Sequence, residues 1–396
     1  MEIRKVMRLG TTSLVVSVPK EWADKYRLDQ ESRLVLIPQS DGSLALYPQT
    51  IPQEKPRTIT LTTRPDTPPG LLERQMVAAY LTDYDEIHIK SEGVISSDQR
   101  NQLRNYLRLL TGYQIMESSS THILLLNVAR VTEMDVERAL HRAHTIATSM
   151  IKDALKALQN RDSNMARTVI GLEEDVIQFY YLVNKQIRRA LLDPNVMSRI
   201  QITAIDAVNY AMILHAINTA AEAARAIAVS VLTLGGHECP SDILKLALRN
   251  GQFATRLFVD AQKAFLTRDD ALANQVMNKG GTCPPMRQQA EALMERHLVE
   301  ICEDMLPTLT PESCALFGPR QVGLIVLEQV FQSNSQIAVS ASTIAERAIW
   351  RSLETQRPPA KASTPKEFPE LSTEKAPRPK RKAKGSSKSK KASKPS

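Results

Sequence analysis

The side chains here that could do chemistry are few and scattered. Glu173-Glu174-Asp175 is an acidic triplet inside a helical pattern. Carboxylates on one helix can bracket a cation when a second helix adds oxygen ligands; alone, such a triplet is a solvated face. His141 and His144 stand three apart on one helical face, a spacing two metal-bound imidazoles can use, yet no carboxylate or cysteine is placed with them. His88 and His122 fall on separate strands without a clustered partner and read as ordinary surface or core histidines. His237-Glu238-Cys239 sits in a loop between helices. The four cysteines, Cys239, Cys283, Cys302 and Cys314, make no C-x-x-C pair and read as reduced thiols in a reducing compartment. No G-x-S-x-G, Walker glycine loop, G-x-G-x-x-G or H-E-x-x-H occurs, so the chain is expected not to be an enzyme and to need no cofactor.

Charge points elsewhere. Over 396 residues the net charge is +8, but residues 357–396 carry 13 Lys or Arg against three Glu, so the rest of the chain is slightly acidic. The end of the chain is rich in Lys, Pro, Ser and Ala and includes Lys380, Arg381, Lys382 and Lys384. Such a segment cannot bury enough apolar surface to offset its chain entropy, and it reads as a disordered basic tail. It resembles linker-histone tails in composition. A polycation of this kind associates with DNA through counterion release, without reading sequence; a solubility tail or an anionic-membrane contact are the other readings. A second basic group, Arg4, Lys5, Arg8 and Lys20, stands against Glu2 alone at the other end. On a rigid strand these residues can neutralise phosphates and read guanine edges, or they can simply protect a solvated edge.

The elements that must position these groups follow from pattern. Residues 3–9 and 13–18 read as strands around Gly10-Thr-Thr, Pro19 opens a helix over 20–28, and strands at 32–38 and 44–47 flank Asp41-Gly42, a hairpin signal. Fifty residues make a thin core, so the unit is expected to dimerise. Residues 56–128 read as a small βαβαββ domain, with helices at 71–81 and 96–110, serving as a spacer or dimer contact. From 131 to 355 long amphipathic helices follow, at about 131–160, 163–192, 196–234, 241–267, 270–304 and 318–354. The longest aliphatic run near a strand, Ile123 to Leu126, is far short of a membrane span, and the charged N-terminus lacks a secretory signal, so a cytoplasmic location is expected.

The helical part is duplicated. Shifted by 107 residues, Asp153–Ile170 matches its counterpart at 8 of 18 positions, including Arg161-Asp162 on Arg268-Asp269. Short loops then imply two antiparallel three-helix bundles, 131–235 and 240–355.

Two resemblances follow from these segments. The stretch Arg4–Trp22, RKVMRLGTTSLVVSVPKEW, resembles the SpoVT/AbrB (MazE-like) swapped-hairpin domain, in which two chains interleave into a β-barrel and basic residues on exposed strands contact DNA. The tandem bundles behind it are similar to the archaeal type of PhoU phosphate-uptake regulator. Supporting segments are Val183-x-x-Gln186 after Tyr180-Tyr181, and Ser340-Ala-Ser-Thr-Ile-Ala-Glu346. The resemblance implies E/D-x-x-x-D motifs holding metal clusters, and here they are eroded. Four beyond Glu173 stands Ile177. The second repeat offers Gly280, Gly281 and Thr282 before Cys283-Pro284-Pro285, whose prolines interrupt a helix. Asn218 and Val339 stand where that family usually has Asp. Glu173, Glu174 and Asn218 are what remains of such a metal site.

The expected fold class is thus multidomain α+β: an AbrB-like half-barrel (1–50), the small α/β domain (56–128), two PhoU-like bundles and the basic tail. The expected function is a dimeric, DNA-binding transcriptional regulator of phosphate uptake. Its bundles would receive a signal from a protein such as the cytoplasmic part of a phosphate transporter or a sensor. The rival is an architectural, nucleoid-associated protein whose bundles serve oligomerisation. An antitoxin, suggested by the MazE-like head, accords poorly with so many further ordered domains.

Overall fold

The computed structural model describes residues 3–38, 43–48, 56–64, 66–128, 135–280, 283–305 and 311–355. The chain divides into two compact units, one containing residues 1–49 and one spanning Thr50–Arg357.

In the first unit, β1 (Met7–Leu9) pairs antiparallel with β2 (Ser13–Val15), Arg8 opposite Leu14. Helix α1 (Lys20–Lys25) follows Pro19, and β3 (Leu34–Pro38) pairs with β4 (Leu44–Pro48). The Asp41-Gly42 turn lies outside the described residues. Two expectations are corrected here. Residues 3–6 and 16–18 are not strand, because the ladder in this chain extends only from Met7 to Val15. Helix α1 stops at Lys25 because Arg27 turns left-handed (φ 51°) and the Leu28 amide bonds back to the Ala23 carbonyl, which closes the helix.

The second unit begins with a four-stranded sheet. Strands β5 (Thr58–Thr63), β6 (Glu86–Ser91), β7 (Tyr113–Ser118) and β8 (His122–Asn127) lie in the order β5-β6-β8-β7. β5 and β6 are parallel, joined through α2 (Leu71–Leu81); the other pairs are antiparallel. Helix α3 (Ser97–Leu109) starts at a reciprocal capping box between Ser96 and Gln99. Alternation along β6 buries Ile87 and Ile89 against Met76, Tyr80 and Leu125, the core of this layer.

Among the described residues the helices that follow are α4 (Val136–Asn160), α5 (Ser163–Leu192), α6 (Pro194–Arg199), α7 (Ala204–Leu234), α8 (Ser241–Thr267), α9 (Asp270–Gly280), α10 (Cys283–Met305) and α11 (Pro311–Thr355). Helices α4 and α5 pack on α7; α8, α9 and α10 pack on α11; α7 meets α11 and α4 meets α8. One continuous hydrophobic cluster runs through both sets. The duplication is visible in its corners. Arg161 and Arg268 both take the left-handed C-cap conformation (φ 54°). Each is followed by an aspartate that caps the next helix, Asp162 through the Asn164 and Met165 amides and Asp269 through the Leu272 amide. Ala154, Ala157, Ala166 and Val169, and their counterparts Ala261, Ala264, Ala273 and Val276, are all fully buried.

Two of the six expected helices are broken. The one read at 196–234 divides into α6 and α7, because Gln201 is left-handed (φ 55°) and a Thr203–Asp206 capping box starts a new helix. The one read at 270–304 divides into α9 and α10, with Pro284 and Pro285 in the first turn of α10, where a missing N–H costs little. By length and composition α7 could cross a membrane, but more than half of that stretch is buried inside the protein. Helices apolar on several faces are buried: α7 packs against α4, α5 and α11, and Ala216, Ala220, Ala223, Ala224 and Ala228 are among its buried residues.

Candidate functional site

The basic residues of the first unit are all exposed. Arg8 projects from β1 and Lys20 opens α1; Arg4 and Lys5 precede β1, and an Arg4 guanidinium nitrogen lies 3.4 Å from Ser17 Oγ. Around them the apolar side chains of the hairpins are exposed as well, Leu14 at 73% and Leu9 at 67%. β1, β2 and α1 bury none of their own residues, as two short strands and a short helix make no core by themselves. Lys380, Arg381, Lys382 and Lys384 lie outside the described residues.

The acidic triplet lies on α5, with Glu173 facing α7 and Glu174 and Asp175 exposed. Glu173 accepts a hydrogen bond from Arg225 Nε at 3.0 Å, and Asn218 donates to Glu222 Oε1 at 2.7 Å. Asn218, Glu222 and Arg225 follow one another at i, i+4 and i+7, so α7 presents them as one stripe. Partial burial pushes the Glu173 carboxyl upward, Arg225 opposes this, and Glu222 and Glu174 add repulsion. A guanidinium thus already fills the place of the cation between α5 and α7, and the donor set does not suit a metal cluster. Among the described residues no group of three or more His, Cys, Asp or Glu side chains is placed to hold a metal.

The histidines are arranged differently from the sequence expectation. His88 and His122 do have a partner: antiparallel pairing of β6 with β8 brings His88 Nδ1 to 3.1 Å from His122 Nε2, with Glu86 Oε2 3.7 Å from His88 Nε2. His144 is buried in the seam between α4 and α8. Its Nε2–H donates to the Phe258 carbonyl at 3.0 Å, and its ring stacks on Phe258 at 4.1 Å. Burial pulls its pKa down to about 4, so it is neutral and structural at pH 7. His141 stays at the surface, its Nδ1 3.2 Å from Gln262 Nε2. The backbone carbonyl of His237 accepts from Arg161 at 3.3 Å, and burial pushes the Cys239 thiol up, the opposite of an activated thiolate.

Sequence reasoning missed the junction of the α/β layer with the helices. Lys185 of α5 is fully buried, its Nζ 3.2 Å from Asp83 and 4.4 Å and 5.0 Å from the ring centres of Tyr80 and Tyr113. Arg189 reaches the other Asp83 oxygen at 3.4 Å, and Gln178 donates to the Arg108 carbonyl at 3.0 Å. Burial lowers the Lys185 pKa while Asp83 holds it up. A lysine in the middle of the apolar stripe of α5 was the available signal.

Residues 140–231, which take in α5, α6 and most of α4 and α7, are similar to the PhoU domain family. Two solved structures are similar. PhoU from Pseudomonas aeruginosa is 18% identical with a TM-score of 0.45, over 56% of this chain and 96% of that one. The phosphate transport system regulatory protein PhoU from Streptococcus pneumoniae is 15% identical with a TM-score of 0.43, over 56% and 94%. No curated protein matches the chain.

Proposed function

We propose that this protein is a cytoplasmic regulator of phosphate uptake that binds DNA as a homodimer. Its N-terminal hairpins would hold the DNA through Arg4, Lys5, Arg8 and Lys20, and its PhoU-type helices would receive the signal from a phosphate-transporter component or a sensor protein. The tail residues Lys380, Arg381, Lys382 and Lys384 would add affinity that is blind to sequence.

The observation that carries this reading is the first unit's surface. Four strands and a short helix leave Leu9, Leu14, Val16, Leu36 and Leu46 exposed beside a cluster of basic side chains. Strands with no interior of their own become stable when a second copy closes over them, which is what an interleaved barrel supplies. The basic groups then form one face on a rigid, symmetric dimer. The Glu173–Arg225 pair favours a protein signal over a metal one, and it equally suits the rival architectural reading, in which the helices only hold copies together.

The test is DNA binding by the full chain and by a chain ending at Gln356, titrated against salt on phosphate-transport promoter DNA and on scrambled DNA. The shortened chain should keep at least a tenfold preference for the promoter, about 1.4 kcal/mol. If all eight basic groups of a dimer neutralise phosphates, the slope of log K on log salt approaches about −7. Loss of preference on removing the tail would transfer support to the architectural reading.

A further inference from the structure

The α/β layer holds a cleft that neither DNA binding nor the PhoU-type helices use. It opens beyond the carboxyl end of β5, at Thr63, where the parallel strands deliver the chain to the N-termini of α2 and α3; its volume is about 320 Å³. Clefts at the carboxyl ends of parallel strands are where α/β layers take ligands. Glu73 and Leu72 of α2 form one wall, Asp98 and Gln99 of α3 another, and Val94 stands at the mouth.

Its charge is one-sided. Glu73 is only 7% exposed, yet among the described residues it has no hydrogen-bond or ion-pair partner. None of the described lining residues is basic. Arg64 pairs with Glu92 at 2.8 Å, and the Arg74 guanidinium lies against Gly70 at the rim, 3.4 Å from where a Cβ would stand. Gly70 adopts φ +78°, so the backbone at the rim is glycine by necessity. The α2 N-terminus, which lacks a side-chain cap, favours negative charge beside it. A carboxylate with no partner among the described residues takes its counter-charge from solvent or from a ligand.

We propose that this cleft binds a small aliphatic amine, with Glu73 as the counter-ion of its ammonium group. An ammonium carries three donors and finds acceptors in the Glu73 carboxylate and the hydroxyls of Thr63 and Thr67; the alkyl chain lies on Leu72 and Val94. Asp98, exposed on the rim, faces a second ammonium if the ligand is a diamine. A divalent metal suits the cleft less well, since no third carboxylate, histidine or cysteine joins Glu73 and Asp98. The proposal stands independently of DNA binding.

The test is calorimetric titration of the full chain with butane-1,4-diamine at low salt and pH 7.5, with butan-1-ol as the uncharged control. The expected result is saturable binding at one site per chain, silent with the alcohol, and at least tenfold weaker in Glu73→Gln. Val94→Trp closes the mouth from a side chain that is 72% exposed, so it tests the same cleft without touching its interior. It should abolish binding while leaving the thermal transition in place. No saturable binding up to about 10 mM, about −2.7 kcal/mol, overturns the proposal. So does equal affinity in both variants, or displacement of the diamine by millimolar Mg²⁺ as a tighter occupant of the same site.

Discussion

Lowering the pH from 7 to 5 should weaken the helical unit through His144. The unfolded chain titrates this imidazole near 6.5, whereas burial holds it at about 4 in the folded protein. The sign follows from which state takes the proton first. Between pH 6.5 and 4 the unfolded chain is protonated and the native one is not, so stability is whole above about 6.5 and is lost as pH falls toward 4. The full effect is about 3.4 kcal/mol, and the part lost between pH 7 and pH 5 is about 1.8 kcal/mol. His144 is only 3% exposed, so solvent screening removes little of this. His144→Gln keeps an N–H for the Phe258 carbonyl and cannot titrate. It sacrifices the ring contact, about 1 kcal/mol, so it starts lower at pH 7 but depends less on pH. Urea unfolding followed by far-ultraviolet circular dichroism, at constant ionic strength, reads both slopes. Every other ionisable group is common to the two proteins and cancels in the difference. If wild type and variant lose stability in parallel, within about 0.5 kcal/mol, burial of a neutral His144 is refuted.

Two further perturbations separate packing from charge. In α8, a Cβ on Gly251 would stand 2.5 Å from Leu155 Cδ2 and 2.9 Å from Asn334 Oδ1, whereas one on Gly171 of α5 meets nothing within 4 Å. Gly171→Ala should therefore stabilise by about 0.5–1 kcal/mol, and Gly251→Ala should destabilise by about 1–2 kcal/mol in the same urea titration; equal signs would sink the close-approach reading. At the junction, Asp83→Asn keeps a side chain tolerant of the left-handed backbone there (φ 62°) but takes the carboxylate charge away from the buried Lys185 ammonium, at a cost of about 3–5 kcal/mol. Lys185→Met fills the Tyr80–Tyr113 cage without a charge and should cost under about 1.5 kcal/mol. Limited proteolysis across residues 128–136 reports whether the α/β layer has come loose, and the reverse order of the two variants would show that the pair is not buried as a unit.

Much of the architecture was legible because helix and strand are written over short spans. Leu71–Leu81, Ser163–Leu192 and Ser241–Thr267 form helices at the limits their patterns indicate. The repeat of Arg-Asp at 161–162 and 268–269 marks corners where a left-handed residue and a capping aspartate act within four residues of each other. Breaks were harder. Nothing at 200–203 has the strength of a Pro or Gly signal, and the capping box at Thr203–Asp206 ends the continuity only because its hydrogen bonds outweigh one more helical turn. The metal candidates show the same limit from the other side. Glu173, Glu174 and Asn218 could be picked out by residue type, but Arg225 lies 52 positions from Glu173 and no spacing rule joins them.

By itself the sequence determined where charge and apolar surface are concentrated: a basic head and tail, an acidic body, and a duplicated run of helices with small residues at matching positions. These properties are additive along the chain, so composition and period suffice to read them. Only the tertiary structure decided which groups meet. It set His88 against His122, put Lys185 between two tyrosines and Asp83, pressed Leu155 onto Gly251, and placed Glu73 in a cleft with no partner among the described residues. Contacts of that kind join residues tens of positions apart. They form when packed layers bring the residues within a few ångströms, where the low dielectric of the interior gives each pairing, or its absence, its energy.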